Sequence, residues 1–173
     1  EIDSVDYRAE FPWPIAANGE GVSMELIHPG LDNDLAGSWR SASDKPTPGA
    51  RNSVYAENVP PQMRQVRHTP KMPAVTEEAV ITVKATDPEG VASVELRYQI
   101  VEPGSYIPAF LAKPTSVLLS RPTDPRDANS AYSDPANWET AIMVDDGSGG
   151  DEVAGDDIYT AVLPAQPSQT LVH

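Results

Sequence analysis

The stretch AVITVKATDPEGVASVELRYQIV, residues 79–101, carries the clearest structural signal in the chain. Its first half alternates, with Val80, Thr82 and Lys84 on one side and Ile81, Val83 and Ala85 on the other. A period of two is the pattern of a strand, because successive side chains leave an extended backbone on opposite faces. Asp87-Pro88-Glu89-Gly90 has turn chemistry, with proline fixing φ and glycine closing the turn. The second half then resumes the alternation, with Val94, Leu96, Tyr98 and Ile100 on one face. It is the longest strand the sequence predicts.

The same pattern extends outward from these two runs. MRQVRH (63–68) reads as a short strand, and Pro70 and Pro73 suit it to a sheet edge, where a missing donor is tolerated. WETAIMV (138–144) and IYTAVLP (158–164) read as strands, and TLVH (170–173) as the start of one more. Residues 102–137 form a proline-rich connection with short apolar pieces, AFLA (109–112) and SVLL (116–119). Nearer the start, EIDSVDYRA (1–9) and VSMELIHP (22–29) read as strands. In the second of these, Val22, Met24 and Leu26 face one way and Ser23, Glu25 and Ile27 the other. The prolines of FPWP (11–14) exclude regular structure there. Residues 56–62, AENVPPQ, read as a proline-rich linker. No segment has helical length with 3.6-residue periodicity, and no internal repeat is visible. Short strands between turn signals point to an all-β sandwich.

Composition narrows the function. The chain has 173 residues, enough for one medium domain or two small ones, and 18 of them are proline. It has no cysteine, which excludes disulfides, thiol nucleophiles and thiolate metal sites. Its formal net charge is −14, and residues 124–157 hold ten Asp and Glu against one Arg. Nucleic-acid binding requires a basic stripe, and anionic membrane surfaces are disfavoured for the same reason. No apolar run approaches the about 20 residues of a membrane span. No signal peptide is evident, and the abrupt start with Glu1 suggests a part of something longer.

A resemblance adds to this reading. DSVDYRAEFPWPIAANGEGVSMELIHPGLDNDLAGSWRSA (3–42), followed by PTPGARNS (46–53), resembles the C-terminal half of a bacterial lamin-tail domain, with Met24 where leucine is usual. PPQMRQVRHTP (60–70), ITVKATDPEGVASVELRYQIVEPGSY (81–106) and MVDDGSGGDEVAGDDIYTAVLP (143–164) resemble an immunoglobulin-like or fibronectin-like module. Such a module often follows a lamin-tail domain in large secreted bacterial proteins. Some of those proteins also carry a kinase-like domain of the spore-coat protein H type, of which nothing is recognisable here. The resemblance implies tandem immunoglobulin-like β-sandwich modules, both truncated. The first would span residues 1–55 and the second residues 63–173, joined by the linker 56–62. It also implies a secreted or cell-surface location. Strands missing from either module would come from other domains of the same longer chain or from another protein, because open sheet edges invite strand addition.

The acidic stretch VDDGSGGDEVAGDDIYTAVLP (144–164) is where chemistry of the chain's own is most expected. Asp145, Asp146, Asp151, Asp156 and Asp157 offer hard oxygen ligands of the kind calcium takes. Gly147, Gly149, Gly150 and Gly155 let the backbone fold tightly between them. The spacing is not that of an EF-hand. The competing reading, and the favoured one, is a turn whose Asp side chains bind nearby backbone amides. His28, His68 and His173 are isolated and lack the short spacing of a zinc site. Trp13, Trp39, Trp138, Tyr98 and Tyr159 suit core packing better than a sugar-binding platform. No nucleophile elbow, phosphate loop or dinucleotide motif is present. The expected function is therefore structural, adhesive or assembling rather than enzymatic. Two alternatives stand: a calcium-dependent module binding a ligand or polysaccharide, and an accessory domain of a kinase-like enzyme.

Overall fold

The computed structural model describes residues 4–19, 21–115 and 126–173. The SVLL piece lies outside them. The fold is all-β, with antiparallel pairing throughout the strand pairs whose register is defined. The chain divides into two compact units. One comprises residues 1–62 with Thr86–Val91, so the Asp-Pro-Glu-Gly turn clusters with the first unit. The other comprises Met63–Ala85 with Ala92–His173.

In the first unit, β1 (Met24–Leu26) pairs with β2 (Trp39–Ser41), with Leu26 opposite Trp39. Trp13, Leu31, Ala42 and Val59 are its buried apolar residues. The Trp13 and Trp39 rings lie 6.5 Å apart. The expected strand over residues 1–9 is irregular backbone from residue 4 onward, and Tyr7 is 63% exposed. Alternation without a partner strand supplies no ladder of hydrogen bonds to hold it extended. Of the linker expected at 56–62, Glu57, Asn58, Pro60 and Pro61 are exposed, and the other residues meet neighbours. The Ala56 amide donates to the Ile27 carbonyl at 3.1 Å, Val59 is buried, and Gln62 already opens the next strand.

The residue β1 buries is Glu25, while Met24 and Leu26 are only partly covered. Its carboxylate is fully occupied. Oε1 accepts from the Thr47 hydroxyl at 2.5 Å and from Ser23 at 3.2 Å. Oε2 accepts from the Ser53 amide at 2.7 Å and its hydroxyl at 2.8 Å. Asn52 adds a bond to the Leu26 carbonyl at 2.9 Å. The Thr-Pro-Gly-x-x-Asn-Ser segment is thus a strap across β1. A buried carboxylate is tolerated because each oxygen is met by donors.

In the second unit, β3 (Gln62–Thr69), β4 (Ala79–Thr86) and β8 (Ile158–Leu163) form a sheet in the order β3-β4-β8. β4 runs antiparallel to β8, from Ala79 opposite Leu163 to Lys84 opposite Ile158. β5 (Val94–Tyr98) pairs with β7 (Glu139–Met143). β6 (Ile100–Val101) pairs with β9 (Leu171–Val172). A four-residue helix, α1 (Ser130–Ser133), is capped by Asn129, whose Oδ1 accepts from the Ala131 amide at 3.1 Å. The buried apolar residues are Val83, Ala85, Val94, Tyr98, Val101, Met143, Ala161 and Leu163.

The long strand expected over residues 91–101 is two strands. Val94 and Tyr98 are buried as the alternation requires, but the next buried apolar residue is Val101, not Ile100. The phase slips at Gln99. There the backbone leaves β7 and exchanges two hydrogen bonds with His173, at 2.9 and 3.0 Å. Gln99 is itself buried, and its side-chain amide has no partner.

Candidate functional site

The acidic stretch connects β7 to β8 as a tight loop. Val144 and Thr160 close its base with two backbone bonds, at 2.9 and 2.8 Å. Glycine is required inside it. Gly147, Gly149, Gly150 and Gly155 all take positive φ, a region closed to most side chains.

The aspartates turn inward to the loop's own amides. The two oxygens of Asp145 accept from Gly155 at 2.8 Å, Asp156 at 3.2 Å and Asp157 at 3.1 Å. Successive amides wrapped around one carboxylate form a small anion nest. Asp151, buried, accepts from the Gly147 amide at 2.7 Å and lies 3.5 Å from the Thr160 hydroxyl. Asp146 accepts from Ser148 through both its amide and its hydroxyl. Asp156 accepts from the Ile158 amide at 3.0 Å. The loop's charge also acts on Tyr159. Burial first, and then the Asp145 and Asp157 carboxylates, push its hydroxyl pKa up.

Of the five predicted ligands, the structure brings three together. Asp145, Asp151 and Asp156 each offer an oxygen within 4.8 Å of the others. Asp146 and Asp157 are not part of this group. A carboxylate has about four lone-pair directions, so the amide bonds leave acceptor capacity on each of the three. Three carboxylates fall short of the 6–8 oxygens of a calcium shell, and loop carbonyls or water would have to complete it. Thr160, four residues past the last glycine-aspartate pair, gave no sequence signal as a partner of Asp151. Only the closing of the loop onto β8 puts it there.

The histidines are apart in their roles. His28 stacks on Tyr55 at 5.7 Å, with its Nδ1 accepting from the Gly30 amide. His68 Nδ1 lies 3.2 Å from the Pro70 carbonyl. His173 sits among Tyr106, Tyr132 and Trp138, with ring centroids 6.0–6.3 Å away. Trp138 meets Tyr132 edge to face and donates to the Tyr132 carbonyl, which fixes its ring by packing. Tyr98 donates to Glu139 at 2.9 Å; that bond, helped by burial, pushes its pKa up.

A second concave feature lies in the same unit. A cleft of about 620 Å³ is lined by Val66, Arg67 and His68 of β3, Ile81 of β4, Leu163 of β8, and the residues leading into β9. Among the described residues no helix is long and apolar enough to cross a membrane. Comparison with family models, with curated proteins and with solved structures finds no match.

Proposed function

We propose that this chain is a non-catalytic structural module of a large secreted or cell-surface protein, serving spacing, adhesion or assembly. One observation carries the reading. The residues richest in potential chemistry, Asp145, Asp146, Asp151 and Asp156, all accept hydrogen bonds from their own loop and so build the connection between two strands. The lamin-tail and immunoglobulin-like resemblance of the sequence supports the same assignment. The test is whether these carboxylates serve folding. Asp145→Ala should lower the melting temperature of the whole chain, and an unchanged melt would remove the support.

A second reading is favoured by the convergence of Asp145, Asp151 and Asp156. In it, the loop holds calcium and the module depends on the ion. A ligand that binds only the native state raises stability by RT ln(1 + [L]/Kd), about 2.7 kcal/mol at a hundred times Kd. Melts in millimolar calcium and in EDTA test it. A rise with calcium that is lost in the Asp151→Asn, Asp156→Asn double variant supports this reading, and superimposed melts reject it.

A further inference from the structure

We infer that Asn18-Gly19 is a self-modification site, where the asparagine side chain closes onto the next backbone nitrogen and is then hydrolysed to an acidic residue, with water as the co-reactant. This goes beyond the structural-module reading and does not depend on it.

The step balances within the chain and its solvent. The Gly19 amide gives its proton to a solvent base, and its nitrogen attacks Cγ of Asn18. An N–Cγ bond forms, the Cγ–Nδ2 bond breaks, and the amide nitrogen leaves as ammonia with a proton from solvent. Water then opens the succinimide at one of its two carbonyls. One opening gives aspartate. The other gives isoaspartate, whose backbone runs through the former side chain. Both products carry a negative charge that asparagine lacks, and nothing is oxidised or reduced.

Ring closure needs a small following residue, a free side-chain amide and a backbone nitrogen able to turn toward Cγ. The chain has six asparagines, and Asn18 alone is followed by glycine. Asn18 is exposed, and its side chain makes no hydrogen bond among the described residues. It caps the short turn Ile15–Ala17 at φ −90 and ψ 80, outside both the helical and the strand regions. Gly19 is exposed at φ +88, and a Cβ built on it would meet nothing within 4 Å. Its peptide is therefore free of the steric limits a side chain would set. The Gly19 nitrogen donates to the Ala17 carbonyl at 3.2 Å, the long end of the hydrogen-bond range.

Elsewhere the fold withholds one of these conditions. After Asn33, the Asp34 nitrogen donates to Asp32 Oδ1 at 3.1 Å. After Asn52, the Ser53 nitrogen donates to Glu25 Oε2 at 2.7 Å. The Nδ2 groups of Asn129 and Asn137 are held by the Pro108 and Ala131 carbonyls, at 2.8 and 2.7 Å. Asn58 precedes Val59, which is β-branched and buried. Asp146-Gly147 offers the same ring chemistry with loss of water. There the Gly147 nitrogen donates to Asp151 at 2.7 Å, and Asp146 Oδ1 accepts from Ser148. The acidic loop is thus protected where the turn at Asn18 is not.

The test holds the full chain in neutral and in mildly alkaline buffer, with a parallel sample in denaturant. Ion exchange follows the acidic form, and peptide mapping locates it and separates aspartate from isoaspartate. An acidic form is expected to accumulate in the folded chain, to map to Asn18, to form faster in alkali, and to hold more isoaspartate than aspartate. Asn18→Gln should abolish this form, and Gly19→Ala should slow it several-fold. A cooperative melt on each sample shows that the chain is folded. An Asn18 that stays an amide in the folded chain but reacts in denaturant overturns the inference, because the turn would then protect it. Conversion no faster than at the other five asparagines overturns it too. So does aspartate without isoaspartate, since water would then have attacked the amide directly. Each of these results leaves the structural-module reading standing.

Discussion

A side chain at Gly150 would put its Cβ 2.7 Å from the Cγ2 of Val162, inside any normal contact distance. Gly150 also has φ +94, where an L-residue is strained whatever the space. The acidic loop thus lies directly against β8 and is shaped by that contact. Gly150→Ala should destabilise the chain by about 1–3 kcal/mol, the range for overpacking. Gly155, also at positive φ but with open space around it, should tolerate alanine better. Denaturant midpoints of the two variants check this, and equal losses would show that the contact with Val162 is not the cause.

Asp145 gathers three successive amides, so its removal should be costlier than that of Asp146, which is exposed and holds only Ser148. Each amide left without an acceptor in a partly covered loop loses a charge-assisted bond. Asp145→Ala is expected to cost about 1–3 kcal/mol and Asp146→Ala under about 1 kcal/mol. Hydrogen exchange of the Gly155, Asp156 and Asp157 amides should speed up in the first variant alone.

These two positions show what the sequence disclosed. The loop was legible as a tight acidic turn because glycine and aspartate each announce local backbone chemistry. The alternation in residues 79–86 fixed β4 and its inward face, Val83 and Ala85. Glu25 was not legible. A pattern of apolar and polar residues assigns a carboxylate to solvent, and the donors that bury it come from Thr47 and Ser53, more than twenty positions away. The break at Gln99 was hidden for a similar reason. Alternation continues through it in the sequence, and only the change of partner strand, from β7 to β9, shifts the phase. Of the five candidate ligands, sequence could count carboxylates but not aim them. The loop's folding directs three toward one point and leaves Asp146 and Asp157 outside that group.

Gln99 itself yields a prediction of opposite sign. It is 3% exposed, and both its amide oxygen and nitrogen lack partners. A buried polar group without a hydrogen bond costs about 1–3 kcal/mol of desolvation. Methionine matches its shape closely and carries no such cost. Gln99→Met should raise stability by about 1 kcal/mol, seen as a higher denaturant midpoint with an unchanged slope. The backbone pairing to His173 is independent of the side chain and should survive. A fall in stability would mean that the amide is paired in solution.

Acid should act on the first unit through Glu25. The Thr47 hydroxyl, with the Ser53 hydroxyl and amide and the Ser23 hydroxyl, holds this carboxyl well below its usual 4.5, at about 2, against the burial that pushes it up. The folded pKa is depressed, so the folded state binds fewer protons than the unfolded chain in this window. The contribution is fully present above the unfolded value of about 4.5, declines as pH falls, and is gone once pH drops through about 2. Glu25→Gln should lower stability at neutral pH, because its amide nitrogen cannot accept from donors on that side. The gap between the parent and this variant should then narrow between about pH 4.5 and 2. A Trp138→Phe background leaves Trp13 and Trp39, both in the first unit, as the fluorescent reporters. A gap that stays constant down to pH 2 would assign the variant's loss to packing, with no part for the ionised carboxylate.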